Sequence, residues 1–304
     1  MNSISIYNEI THVRIIATLV IVAYHCVCPY YSWGWEGYLH DSRKIIQIVD
    51  FIFSKMLYNT MLPTFFLISG MLFYLRKSHY SHRKSTFWKK FNRLIVPNCL
   101  IFALCTLLNL PNIGGAIADG HLWFVQVLFI FFCFVLLLYG MKEKWIVGIS
   151  VFMYILYIVN FKFSLGLSMM EQQIFRYFIY FAGGYYIVKY HAFLRDKIGC
   201  VILLYFITFM LQIKSIYGFL FNVVLFCVVS DKPVLNKFLI SINENSFGIY
   251  LLHHVVIFYM FRFTYMQQLY AESAIEAFLC MFTISLSLSW IGSIILKKVG
   301  FDYF

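Results

Sequence analysis

His25 is the residue whose type and place most directly suggest chemistry. It ends the run RIIATLVIVAYH, with no polar neighbour but Tyr24. An ionisable side chain at the centre of a bilayer costs at least about 2.5–3.5 kcal/mol, so one placed there needs a reason. Arg14 precedes His25 by eleven positions, which on a helix leaves the two about 20° apart around the axis and about 16 Å apart along it. One helix face then carries a cation at its mouth and an imidazole near its middle. A neutral imidazole, with an ordinary pKa of about 6.5, can act as general base on a hydroxyl or attack an acyl carbon as nucleophile. The same spacing also suits a structural pair, with Arg14 snorkelling to the interface and His25 bonding a neighbouring helix.

A second concentration of chemistry is the stretch 76–93, RKSHYSHRKSTFWKKFNR, read as a loop. It holds seven basic residues, two histidines and no acid. Such density fits a ligand with several phosphates, which Arg binds through its fork and Lys as a point charge. It equally fits a topology determinant lying against anionic lipid. Other candidates are weaker. His121 and Trp123 open an apolar segment as HLWF, where Trp is a routine interface anchor. Arg176 lies near Glu171, which would satisfy it as a structural ion pair. His253 and His254 are adjacent, so at most one of them is expected to face a bundle interior. Ser69-Gly70 would let helices approach closely.

The elements that must position these residues follow from composition. Hydrophobic residues make up 62% and charged residues 12% of the 304, far from the balance of a soluble domain, so lipid must be the solvent for much of the surface. Crossing about 30 Å of hydrocarbon takes about 20 apolar residues in a helix. Ten segments qualify: 13–33, 56–75, 94–110, 122–140, 145–161, 174–190, 198–212, 216–230, 247–264 and 275–296. The expected fold is all-α, a polytopic bundle of about ten transmembrane helices in a single domain over 1–304. Residues 45–55 read as an amphipathic extension of the second helix. With both termini in the cytoplasm, seventeen of the 24 basic residues lie on the cytoplasmic side, as positively charged loops require. That placement accounts for the net charge of +11 without nucleic acid. The N-terminus lacks the basic region and cleavage site of a signal peptide. Six of the eight cysteines sit inside apolar runs, and no CxxC pair or Cys/His spacing marks a disulfide framework or a metal site.

In their order along the chain, these segments resemble acyltransferase family 3, the membrane acyltransferases that modify bacterial surface glycans. Arg14 to His25 resembles the first-helix Arg-x10-His pattern, and Phe65 to Gly70 the FFxISG segment. Lys89 to Pro97 resembles the basic stretch ending in RhhP, and His121 to Phe124 the HLWF segment. Arg176 with Phe181 to Tyr185 resembles the sixth-helix pattern, and Ser246 to His253 the S-x-G-I-Y-L-x-H segment. Lys90 is the departure, since many members carry Arg in an Arg-x-x-Arg pair and Lys lacks that fork. No additional periplasmic domain is expected.

The resemblance implies an enzyme of the bacterial plasma membrane that takes acyl-CoA, usually acetyl-CoA, from the cytoplasm. It delivers the acyl group to a hydroxyl of a surface polysaccharide or lipid-linked glycan. His25 and Arg14 become the implied catalytic residues. Arg76, Lys89, Lys90 and Arg93 become the implied contacts for the donor's phosphates, and His121, Trp123, Arg176 and His253 line the acceptor path. Membrane lipids are the remaining partners, and no permanently bound cofactor is implied. From the residues alone, a flippase for a lipid-linked sugar and a non-catalytic membrane subunit also stay open. A flippase would favour inverted repeats, and a non-catalytic subunit would use polar residues only as helix glue.

Overall fold

The computed structural model describes residues 3–30, 47–48, 52, 57–77, 82–108, 122–140 and 143–301. Among these the chain forms thirteen α-helices, a short 3-10 turn at Cys28–Tyr30 and no strand. The helices are α1 (Ser3–Val27), α2 (Tyr58–Leu75), α3 (Arg83–Leu107), α4 (Trp123–Leu137), α5 (Glu143–Phe163), α6 (Met169–Lys189) and α7 (His191–Asp196). They continue as α8 (Ile198–Met210), α9 (Lys214–Val228), α10 (Lys237–Glu244), α11 (Ser246–Phe261), α12 (Thr264–Glu272) and α13 (Ala274–Lys298).

Every one of the ten predicted apolar segments coincides with a helix. Four helices are long and apolar enough to cross a membrane alone: α1 with its 3-10 extension, α3, α5 and α13. The pair α11–α12, bent by 90°, makes a fifth if counted as one span. Helices α2, α4, α8 and α9 are apolar but shorter. The proposed amphipathic extension at 45–55 lies almost wholly outside the described residues. The stretch 76–93 is not a loop throughout: from Arg83 onward it is the first three turns of α3. Its aromatic residues explain the difference. Phe87 and Phe91, one turn apart, both pack on Phe129 of α4 with ring centroids 5.5 and 5.9 Å away.

The chain gathers into two compact units. The first comprises residues 1–13, 62–96 and 123–233. Its core includes Ile6, Ile10, Leu67, Met71, Val188 and Phe226. Here α2 and α6 meet backbone to backbone. A methyl group on Gly70 would strike the Phe181 carbonyl, and one on Gly184 would strike the Leu67 carbonyl. That is the close approach expected of Ser69-Gly70. A capping box starts α6: the Glu171 N–H donates to Ser168 Oγ at 3.3 Å, and the Glu171 carboxylate accepts from the Ser168 N–H at 2.8 Å. These bonds to Ser168 hold the exposed Glu171 carboxyl below its usual pKa. Glu9 is fully buried, with His191 Nε2 2.7 Å away and Arg195 Nη1 at 3.5 Å.

The second unit comprises residues 14–61, 97–122 and 234–304. Ser285, Ser289 and Ser293 recur every four residues along α13 and are all fully buried. Two of them bond other elements of this unit: Ser285 Oγ donates to the His253 carbonyl at 3.3 Å and Ser293 Oγ to Asn245 Oδ1 at 3.0 Å. The C-terminal end of α1 is tied to α12, because the Tyr270 hydroxyl donates to the Cys26 carbonyl at 2.6 Å and the Tyr30 hydroxyl to the Tyr270 carbonyl at 2.7 Å.

Candidate active site

Among the described residues, the second unit holds a close cluster of three histidines. His25 projects from α1 and is half-buried, while His253 and His254 project from α11 and are both buried. Helix α11 is apolar nearly all round, so two adjacent side chains can both be enclosed. The expectation that at most one of them would face inward is therefore corrected. His253 Nε2 lies 2.9 Å from His25 Nδ1, a direct hydrogen bond between residues 228 positions apart. His253 Nδ1 lies 2.9 Å from the carbonyl oxygen of Ile249, one turn back on its own helix. The His254 ring meets the His25 ring edge to face, with centroids 4.1 Å apart and planes at 72°. Tyr24 adds a second edge contact to His25 at 5.1 Å.

The three imidazoles place their ligand nitrogens within 4.8 Å of one another, which makes them a candidate donor set for a metal ion. No linear spacing could have announced it, since positions 25, 253 and 254 meet only in the fold. The 2.9 Å separation of His25 and His253 argues for the hydrogen bond instead. Two imidazoles on a tetrahedral zinc, each at about 2.0–2.1 Å, stand about 3.3 Å apart. A metal would also claim His253 Nε2, the atom that already bonds His25.

Arg14, on the same helix as His25, is half-buried and donates from Nη1 to Asn243 Oδ1 of α10 at 3.3 Å. The continuous helix between them gives the expected axial separation of about 16 Å.

The remaining candidates among the described residues lie in the first unit. Lys90 is half-buried and lays its Nζ 3.8 Å from the centroid of Phe132, a cation–π contact. Lys89 and Arg93 are exposed on the same helix. Arg76, also exposed, donates from Nε to the Tyr7 hydroxyl at 3.4 Å. Arg76 and Arg93 are close enough to act electrostatically on Lys90. Trp123 and Arg176 converge on Tyr177. The Trp123 and Tyr177 rings stack with centroids 5.6 Å apart, and the Arg176 guanidinium lies 5.0 Å from the Tyr177 centroid. A second tyrosine, Tyr157, faces Arg176 at 5.8 Å, so the guanidinium sits between aromatic faces, and Glu171 is used by its capping box. His121 lies outside the described residues.

Two groups escaped the reading of the sequence. Sequence reasoning allows only one of His253 and His254 inside and so leaves His254 out of the site, and Glu9 is not among its candidates, although an acid among only thirteen in the chain is itself a signal of special placement.

A family model described as an acyltransferase domain matches residues 7–294, nearly the whole chain. No curated protein and no solved structure matches it.

Proposed function

This chain belongs to the acyltransferase-domain family whose model it matches over residues 7–294, and from that premise we propose that it is a membrane O-acyltransferase using His25 as general base. The donor is acyl-CoA, with acetyl-CoA the expected form. The acceptor is a hydroxyl of a cell-surface polysaccharide or lipid-linked glycan.

One observation carries the reading: an imidazole in an apolar helix, held by a second imidazole at 2.9 Å. Arranged so, His25 can take the proton of the acceptor hydroxyl as its oxygen attacks the thioester carbonyl. The C–O bond of the new ester forms and the C–S bond of the donor breaks. The proton then passes from His25 to the departing thiolate, so free CoA leaves and the base is restored. Arg14, one stretch of helix away on α1, is suited to the phosphate-bearing end of a donor whose thioester reaches His25. Within the first unit, Lys89, Lys90, Arg93 and Arg76 are by themselves cations suited to a phosphate-bearing ligand, where charge-assisted bonds are the strong ones. Trp123 and Arg176 offer a ring face and a donor fork, which suit the apolar face and hydroxyls of a sugar. In this reading ten apolar segments cross the plasma membrane of a bacterium with both termini in the cytoplasm, in keeping with the basic-residue asymmetry.

The test is mass spectrometry of surface glycans from cells with and without the gene. The proposal expects a mass difference equal to one acyl group per modified sugar. Identical glycan and lipid-linked pools in the two strains would exclude this acceptor class.

A further inference from the structure

We infer that His253 is a positioning residue that fixes His25 in the tautomer with its proton on Nδ1, thereby presenting the lone pair of His25 Nε2 as the base. The inference rests on the proposed role of His25 and adds the device that aims it.

The argument is a chain of donors and acceptors. A backbone carbonyl can only accept, so the 2.9 Å contact between His253 Nδ1 and the Ile249 oxygen requires a proton on His253 Nδ1. That oxygen has two lone pairs and can serve both the helix ladder and the ring. A neutral imidazole carries one proton, so His253 Nε2 is left with its lone pair and must accept. Its partner at 2.9 Å is His25 Nδ1, which therefore donates. His25 in turn keeps its lone pair on Nε2. The proton positions of both rings thus follow from one carbonyl on α11.

The surroundings fix the geometry as well as the tautomer. Ser285 Oγ donates to the His253 carbonyl at 3.3 Å, pinning the backbone from which the His253 ring extends. The contact of His254 with the His25 ring opposes rotation of that ring, which would put Cδ2 in the place of Nδ1 and break the bond to His253. When His25 takes a proton it becomes a cation, and its Nδ1–H bond to His253 becomes charge-assisted and stronger. His253 thus stabilises the charge that develops during the reaction without itself losing or gaining a proton, as an orienting partner does for a catalytic histidine elsewhere. Water would favour neither outcome so firmly, because an unheld imidazole samples both tautomers.

The experiment combines kinetics with nitrogen-15 spectroscopy of histidine-labelled protein in nanodiscs. Acetyl-CoA is the donor and extracted lipid-linked glycan the acceptor. His253→Ala is expected to lower kcat by about a hundredfold, the scale of a mispositioned base, while KM for acetyl-CoA stays within about threefold. His253→Gln, whose amide oxygen can occupy the place of Nε2, is expected to recover most of that loss. The wild-type spectrum should show His25, identified by its absence in His25→Ala, protonated on Nδ1. Protonation of His25 on Nε2 in the wild type would overturn the inference even if His253→Ala fails to fold. Stoichiometric zinc that co-purifies and is lost in His25→Ala would also overturn it, because a metal would replace the hydrogen bond. Wild-type kcat in His253→Ala with an inactive His25→Ala would refute the relay alone. Activity in His25→Ala would refute the underlying role of His25.

Discussion

Substitution of Gly184 by alanine isolates a backbone-to-backbone helix contact of the first unit. A Cβ there would strike the Leu67 carbonyl oxygen and stand 2.9 Å from the Met71 nitrogen and 3.0 Å from the Leu67 carbonyl carbon. All three atoms are backbone of α2, so no side chain can turn aside, and α6 must move away from α2. Overpacking of this kind costs about 3 kcal/mol, at the upper end of the usual range. Alanine returns about 1 kcal/mol in helix propensity, leaving a net loss of about 2 kcal/mol. At about 2–4 °C per kcal/mol, detergent-solubilised protein should melt about 5 °C lower. The control is Gly199→Ala, which lies in helix α8 and meets nothing within 4 Å. It should melt at or slightly above the wild type, because only the propensity gain remains. Fluorescence-detected melting of the three proteins in one detergent decides the matter. Gly184→Ala melting as high as Gly199→Ala would refute the backbone contact between α2 and α6.

Three further outcomes are expected. Arg93→Ala should weaken CoA binding about ten- to a hundred-fold, the equivalent of one lost charge-assisted phosphate contact, and Lys90→Arg should be tolerated; calorimetry with CoA and dephospho-CoA checks both, and unchanged affinity in Arg93→Ala would return this region to a lipid-facing role. Glu9→Gln removes the charge that the buried Glu9 sets against buried His191 and the 40%-exposed Arg195 and should cost about 2 kcal/mol, less than a fully enclosed pair because Arg195 is screened by solvent; its melting temperature should fall with donor affinity unchanged, and wild-type melting would contradict the pairing. A reporter that is active only after export should be silent when fused at the C-terminus, and an active fusion would mean an odd error in the helix count.

Much of this architecture was legible because a bilayer allows so few solutions. Runs of about 20 apolar residues must be helices, and all ten have helical counterparts. His25 was legible for the same reason: a polar group is conspicuous where it is expensive. What sequence could not supply was partnership. His25 and His253 lie 228 positions apart, and nothing in either segment names the other. Reasoning from one helix also allowed only one of His253 and His254 inside, whereas α11 buries both. The basic stretch was read as a loop because its charges dominate, whereas Phe87 and Phe91 recur at helical spacing and decide its structure by packing on Phe129. Glu9 was invisible for a related reason, because its partners His191 and Arg195 stand far along the chain.

The claim that His25 performs acyl transfer is tested most directly in purified protein. Wild type and His25→Ala are reconstituted in nanodiscs with labelled acetyl-CoA and lipid-linked glycan, and transfer of label is followed alongside CoA affinity and melting temperature. Removing a general base is expected to cut turnover about 10²–10⁴-fold, with CoA affinity and melting close to wild type. Label transfer by His25→Ala at the wild-type rate would contradict the account.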